Sequence, residues 1–128
     1  MKQLLLGLML LVPATAASAE WTRVEYNDNY ILYVDRATIR RNGNLVKMWS
    51  LVDYKTVKTV VGQSNLSYKA QEEYDCKEEK SRTLAITWFT GQMGRGTVNH
   101  TDNRTGEWSP IAPESNGEVM WKITCGKK

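Results

Sequence analysis

Histidine is almost missing from this chain: His100 is the one instance in 128 residues, and cysteine occurs twice, at Cys76 and Cys125. That scarcity leaves no His/Cys ligand set for a metal site, so no metal is expected. It also leaves no free thiol for a Cys–His nucleophile. No Gly-x-Ser-x-Gly elbow, His-Glu-x-x-His pair, phosphate loop or dinucleotide fingerprint occurs, so the familiar hydrolase and cofactor signatures are absent and no cofactor is expected. Scattered carboxylates remain as acid and base candidates. They support only an alternative reading as a small periplasmic hydrolase-like enzyme, or a structural periplasmic protein. The main expectation is a chain without catalytic residues. Charge of one sign is lacking too: 17 Lys and Arg face 14 Asp and Glu, a formal net charge of +3. So mild a balance gives no basis for a nucleic-acid partner.

A long apolar run is also missing. The one apolar stretch, residues 4–12, follows Lys2 and precedes Ala17-Ser18-Ala19. It is too short to span a bilayer, which takes about 20 residues. A positive start, a short apolar centre and a small-x-small end describe a secretory signal peptide, here residues 1–19. Removing it leaves one domain, residues 20–128, with a formal charge of +2 because Lys2 departs. No cysteine lies close behind the apolar stretch, so no lipid anchor is expected at this end. The expected location is the periplasm, the cell surface or the medium, with no membrane span.

An even pair of cysteines in an exported chain reads as one disulfide, Cys76–Cys125. It would close a loop of about 50 residues, worth about 4 kcal/mol in the chain-entropy account.

What the chain does have is alternation. Leu66, Tyr68, Ala70, Tyr74 and Cys76 share one face of a strand over residues 66–76, interrupted by Glu72; Ser67, Lys69, Gln71, Glu73 and Asp75 share the other. A two-residue period predicts a half-buried strand with one wet face. Residues 45–55 and 82–90 predict two more, residues 21–26 and 30–34 two shorter ones, and residues 96–101 a weaker sixth. Asp35 to Ile39 is expected to make one helical turn capped by Asp35. Asn42-Gly43 signals a tight turn. Ser115 with Glu118 three residues on, followed by Val119, Met120, Trp121 and Ile123 and closed by Gly126, predicts a C-terminal helix. Trp121 and Cys125 lie four apart, on one helix face. The expected fold is α+β: a single antiparallel sheet of about six strands, with that helix packed on one face and tied down by the disulfide.

Trp49, Trp88 and Trp121 fall on periodic apolar faces and are expected in the core. Loop positions are left for a protein partner. Arg40 and Arg41 sit at one turn and Met93 and Arg95 at a Gly-rich one, which reads as a contact loop or a flexible hairpin. Arg104 and Trp108 lie in the polar loop before the helix. Arg and Trp dominate binding energy where they occur at interfaces.

The ordered set Tyr33-Val34-Asp35, Thr38-Ile39-Arg40, Gly43, Met48-Trp49 and Asp53-Tyr54, followed by Glu73-Tyr74-Asp75-Cys76, Arg82, Trp121-Lys122 and Cys125, resembles the bacterial surface-adhesin protein E family along nearly the whole mature chain. That resemblance implies the same sheet and pinned helix, an exported Gram-negative protein, host matrix or plasma proteins as partners, and a homodimer.

Overall fold

The structure, a computed structural model, describes residues 19–127. The expected leader, residues 1–19, lies outside the described residues except for Ala19. Six strands follow one another as an antiparallel meander: β1 (Thr22–Tyr26), β2 (Tyr30–Asn42), β3 (Leu45–Val60), β4 (Gln63–Asp75), β5 (Lys80–Phe89) and β6 (Val98–Asp102), each beside its neighbour in sequence. A two-residue strand, β7 (Ser109–Pro110), pairs with the start of β5, beyond the stretch that β6 covers. Helix α1 (Asn116–Cys125) lies against one face.

Local chemistry makes the connections short. The Asn27 side-chain oxygen accepts from the Asn29 and Tyr30 amides at 2.8 and 2.9 Å. This Asx turn sends β1 back as β2. Gly43 takes φ +62° between β2 and β3, a region other residues seldom enter. The Asp75 carboxylate accepts from the Lys77 and Glu78 amides at 3.0 and 2.9 Å, fixing the turn between β4 and β5.

The helix is built as its sequence predicts. Ser115 Oγ accepts from the Glu118 amide at 3.2 Å, and Gly126 ends the helix in the left-handed region at φ +68°. The Glu118 carboxylate accepts from the Glu114 amide, one residue before the cap. Met120, Trp121 and Cys125 then pack on Leu32, Val34, Met48, Val52 and Tyr74. These sheet residues stand at alternate positions of β2, β3 and β4, as the pleat requires. Cys76 and Cys125 are bonded, their Cα atoms 5.6 Å apart. Beside the bond, the Trp121 indole donates to the Asp75 carbonyl at 3.0 Å.

Three local expectations change. Asp35 to Ile39 is a bulge inside a longer β2, not a helical turn: the register with β3 shifts between Asp35 and Arg40. The Asp35 carboxylate accepts from the Ala37 amide, as a cap would, but the Thr38 hydroxyl donates to the Asp35 carbonyl and accepts from the Trp49 amide. The side chain thus stands in for the missing ladder bond and keeps the strand running. The face of β4 expected to be wet is covered: Ser67 is fully buried and Lys69 half-buried. Of the three tryptophans expected in the core only Trp121 is buried; Trp49 and Trp88 are half-buried.

If the cap and the indole do this work, denaturant melts should separate them. Ser115→Ala should cost about 1 kcal/mol. Trp121→Ala should cost about 3–5 kcal/mol, since it empties the space between helix and sheet. Equal, negligible losses would mean that α1 does not hold the sheet.

Candidate functional site

Helix α1 covers only part of its face of the sheet. At its N-terminal end the sheet is left open as a cleft of about 230 Å³, walled by Tyr30, Tyr54, Tyr68 and Tyr74 with Ser50 and Glu72 on the sheet side and Asn116 on the helix side. The walls follow from register. Tyr30 pairs with Tyr54, Val52 with Tyr68, and Tyr68 with Trp88, so alternate positions of four neighbouring strands put their rings on one face. The rings hold one another: Tyr54 and Trp88 are stacked with planes 8° apart, and the Tyr68 ring centre lies 4.7 Å from that of Trp88. Tyr30 meets Tyr54 edge-on. Such contacts are worth about 0.5–1.5 kcal/mol each beyond area burial. The Asn116 side chain donates to the Tyr30 hydroxyl, tying the first residue of α1 to the rim.

Glu72 is the one charged residue in the lining of the cleft. One carboxylate oxygen, Oε1, accepts from the Thr83 hydroxyl at 2.9 Å. Among the described residues nothing donates to Oε2, and no cation lies within ion-pairing distance of the carboxylate. No buried side-chain oxygen among those residues lacks a partner, so Oε2 keeps some exposure to solvent, and Glu72 lines the cleft. Burial raises the Glu72 carboxyl above its ordinary value, and the Thr83 hydrogen bond opposes this only in part. Burial likewise raises the hydroxyls of Tyr68 and Tyr74, and the Glu72 charge adds to both shifts. Burial also raises the Tyr54 hydroxyl, so Tyr54, Tyr68 and Tyr74 stay neutral at physiological pH, with hydroxyls that both donate and accept.

Past the cleft, β3 and β4 run on as a two-stranded arm, residues 55–66, with Val57 58% and Val61 77% exposed. A second hollow of about 420 Å³ at its base shares Tyr30 and Tyr54 with the cleft.

The expected partner-binding residues fall at separate places. Met93 and Arg95 share the arm's end of the sheet but lie on the face opposite α1. Their loop is docked there, not free: the Met93 amide donates to the Asp53 carboxylate, the Gly94 amide to Ser67 Oγ, and Ser67 Oγ to the Gly91 carbonyl. Gly94 takes φ +69°, which explains a glycine there, and its backbone lies against Lys69 and Leu51. Met93 is half-buried and Arg95 exposed. Arg40 and Arg41 are exposed at the opposite end, their guanidinium groups hydrogen-bonded to nearby carbonyls. Arg104 lies in the loop that follows β6 and pairs with Asp102, holding that carboxyl well below the usual carboxylate range. Trp108 is covered by the Arg82 guanidinium at 4.4 Å and the Lys80 ammonium at 5.3 Å. His100 is exposed on β6 opposite Trp88; the neighbouring carboxylate of Asp102 is already taken by Arg104. The cleft itself escaped the sequence reading. Its one signal was Glu72, a charge interrupting an otherwise apolar strand face.

A family model described as surface-adhesin protein E matches residues 21–126. No curated protein matches the chain in sequence. Solved structures of Haemophilus influenzae protein E match the fold. One, crystal form II, has a TM-score of 0.67 at 16% identity, covering 91% of this chain and 94% of that one. A second has a TM-score of 0.65 at 16% identity, covering 91% of each chain. Protein E from non-typeable Haemophilus influenzae has a TM-score of 0.56 at 12% identity, covering 85% and 86%.

A desolvated carboxylate without a counter-charge should cost stability. Its folded-state pKa is raised, so the penalty is present when the group is ionised and vanishes as falling pH protonates it. Glu72→Gln, which can still accept from Thr83, should melt above the parent at pH 7. That advantage should fade as pH drops through the raised pKa towards the reference glutamate value of 4.5. A variant less stable than the parent at pH 7 would mean that Glu72 is a structural ion.

Proposed function

We propose that this chain, which belongs to the surface-adhesin protein E family, is an exported bacterial module that binds a protein partner. The observation that carries this reading is the groove at one end of the sheet: a cleft and an adjoining hollow walled by tyrosines, flanked by an arm that exposes Val57 and Val61. Tyrosine offers a broad apolar face and a polar tip at little entropic cost, which suits it to protein recognition. The exposed valines add apolar surface beside it, of the kind that marks interaction sites. Chemistry on a substrate has less support. The groove brings one carboxylate, Glu72, among hydroxyls, with no histidine, thiol or second carboxylate lining it. A lone carboxylate has no partner acid or base to work with.

Export follows from the expected leader, and among the described residues no helix is long and apolar enough to cross a membrane. Residence in the periplasm or on the surface is part of the proposal, as are host matrix or plasma proteins as partners. Exposed basic residues stand on the arm beside the groove, Lys55 and Lys58, at the same end of the sheet, Arg95, and at the far end, Arg40 and Arg41.

The test is a binding assay of the mature protein against immobilised matrix, plasma and periplasmic proteins. Saturable binding that weakens as salt rises is expected, since exposed charges are screened within about 8–10 Å at 0.10–0.15 M salt. Val57→Ser should weaken it by about 1 kcal/mol or more with the melt unchanged. Binding that Arg41→Ala weakens and Val57→Ser leaves intact would move the interface to the opposite end. Absence of binding across the whole panel would overturn the proposal.

A further inference from the structure

The geometry points to the Glu72 cleft as a receptor for one organic cation: an ammonium group at the end of an aliphatic chain, as carried by a lysine side chain or a free alkylamine. This deepens the protein-binding reading by naming what the groove takes in, but it stands on different observations.

The volume sets the scale. About 230 Å³ lies below the roughly 300–1,000 Å³ of sites for drug-sized ligands, so the cleft suits one side chain or a small head group. The chemistry sets the charge. Glu72 lines the cleft with Oε1 engaged by Thr83 and Oε2 free of any donor yet still reached by solvent, and no cation of the described residues pairs with it. An anion would meet an uncompensated like charge there, and a neutral guest could at most donate a hydrogen bond to Oε2 and leave its charge unpaired. A cation would supply the missing counter-charge in a place where water screens it poorly. The walls add a second attraction, since tyrosine faces draw cations by their quadrupoles at ring-centre distances up to about 6 Å. A cation of this chain already stands at that limit on the rim: the Lys58 ammonium is 5.9 Å from the Tyr54 ring centre. Finally, the rings are braced. Tyr54 is stacked on Trp88 and Tyr30 is bound by Asn116, so little order remains to be imposed when a guest arrives.

Three probes test this on the mature protein by NMR titration of the Tyr54 and Trp88 ring signals: Nα-acetyl-lysine methylamide, its neutral norleucine counterpart, and pentylammonium chloride. The lysine probe should saturate in the low-millimolar range, and the norleucine probe should bind about tenfold more weakly or not at all. Glu72→Gln, which by the argument above folds at least as stably, should weaken the lysine probe about tenfold, while Lys77→Ala, in the exposed turn between β4 and β5, should leave it unchanged. Pentylammonium binding with the lysine probe excluded would keep the cation site and assign it to a free amine; that would count against the protein-binding reading alone. Equal binding of the norleucine probe, no effect of Glu72→Gln, or no saturable shift with any probe would overturn the inference.

Discussion

One contact organises this molecule: the seat of α1 on the sheet beside the turn between β4 and β5. The sheet is a meander in which every strand bonds its sequence neighbours, and such a sheet needs something to cover its apolar face. A ten-residue helix is too short to be stable by itself in water. Trp121 and Cys125 solve both problems at one point. The indole joins the core cluster that includes Met48 and Tyr74 and donates to the Asp75 carbonyl, and the adjacent Cys76 holds Cys125. The turn is itself rigid because the Asp75 carboxylate caps it. The helix is thereby pinned near its C-terminal end.

The cleft is a consequence of that pin. A short helix fixed at one end of a long sheet cannot reach the other, so the rings of Tyr30, Tyr54, Tyr68 and Trp88 are roofed only at their margin, where Asn116 meets Tyr30. Fuller cover would have demanded an apolar residue at position 72. A carboxylate there is tolerated because solvent still reaches one oxygen, and its cost to stability is the kind that binding sites commonly carry. The opposite face is closed differently, by the Gly91–Gly96 loop folding back on Leu51, Asp53 and Ser67.

What the sequence disclosed follows the range of the forces involved. Alternation along β3, β4 and β5 was legible because each strand lies against the same surface for many residues, and the Ser115–Glu118 cap because its bonds close within three residues. The disulfide was legible because an exported pair has one partner each. The bulge at Asp35 was misread because its first bond, from Ala37, is the one a helix cap would make; only the Trp49 amide, eleven positions beyond the Thr38 hydroxyl that accepts it, decides for the strand. The burial of Ser67 was hidden for the same reason, since its partners Gly91 and Gly94 lie 24 and 27 residues away. Among the expected partner residues, Trp108 was placed in its loop, but its cover by Arg82 and Lys80 depends on a pairing with β5 that two residues, Ser109 and Pro110, announce too weakly to read. The cleft was the least legible feature. Glu72 was visible as a break in a pattern, but whether it lay under the helix or beyond it depends on where α1 is pinned.

The dependence of the cleft on the pin can be measured at a single atom. In protein labelled at the glutamate side-chain carboxyl carbon, the Glu72 signal followed through an NMR pH titration reports the burial of that one group. The oxidised parent should titrate above the reference value of 4.5, and Trp121→Ala, by loosening the helix over the cleft, should bring the midpoint back towards it. An ordinary or depressed midpoint in the parent, or the same raised midpoint in a folded Trp121→Ala protein, would contradict a cleft created by the pinned helix.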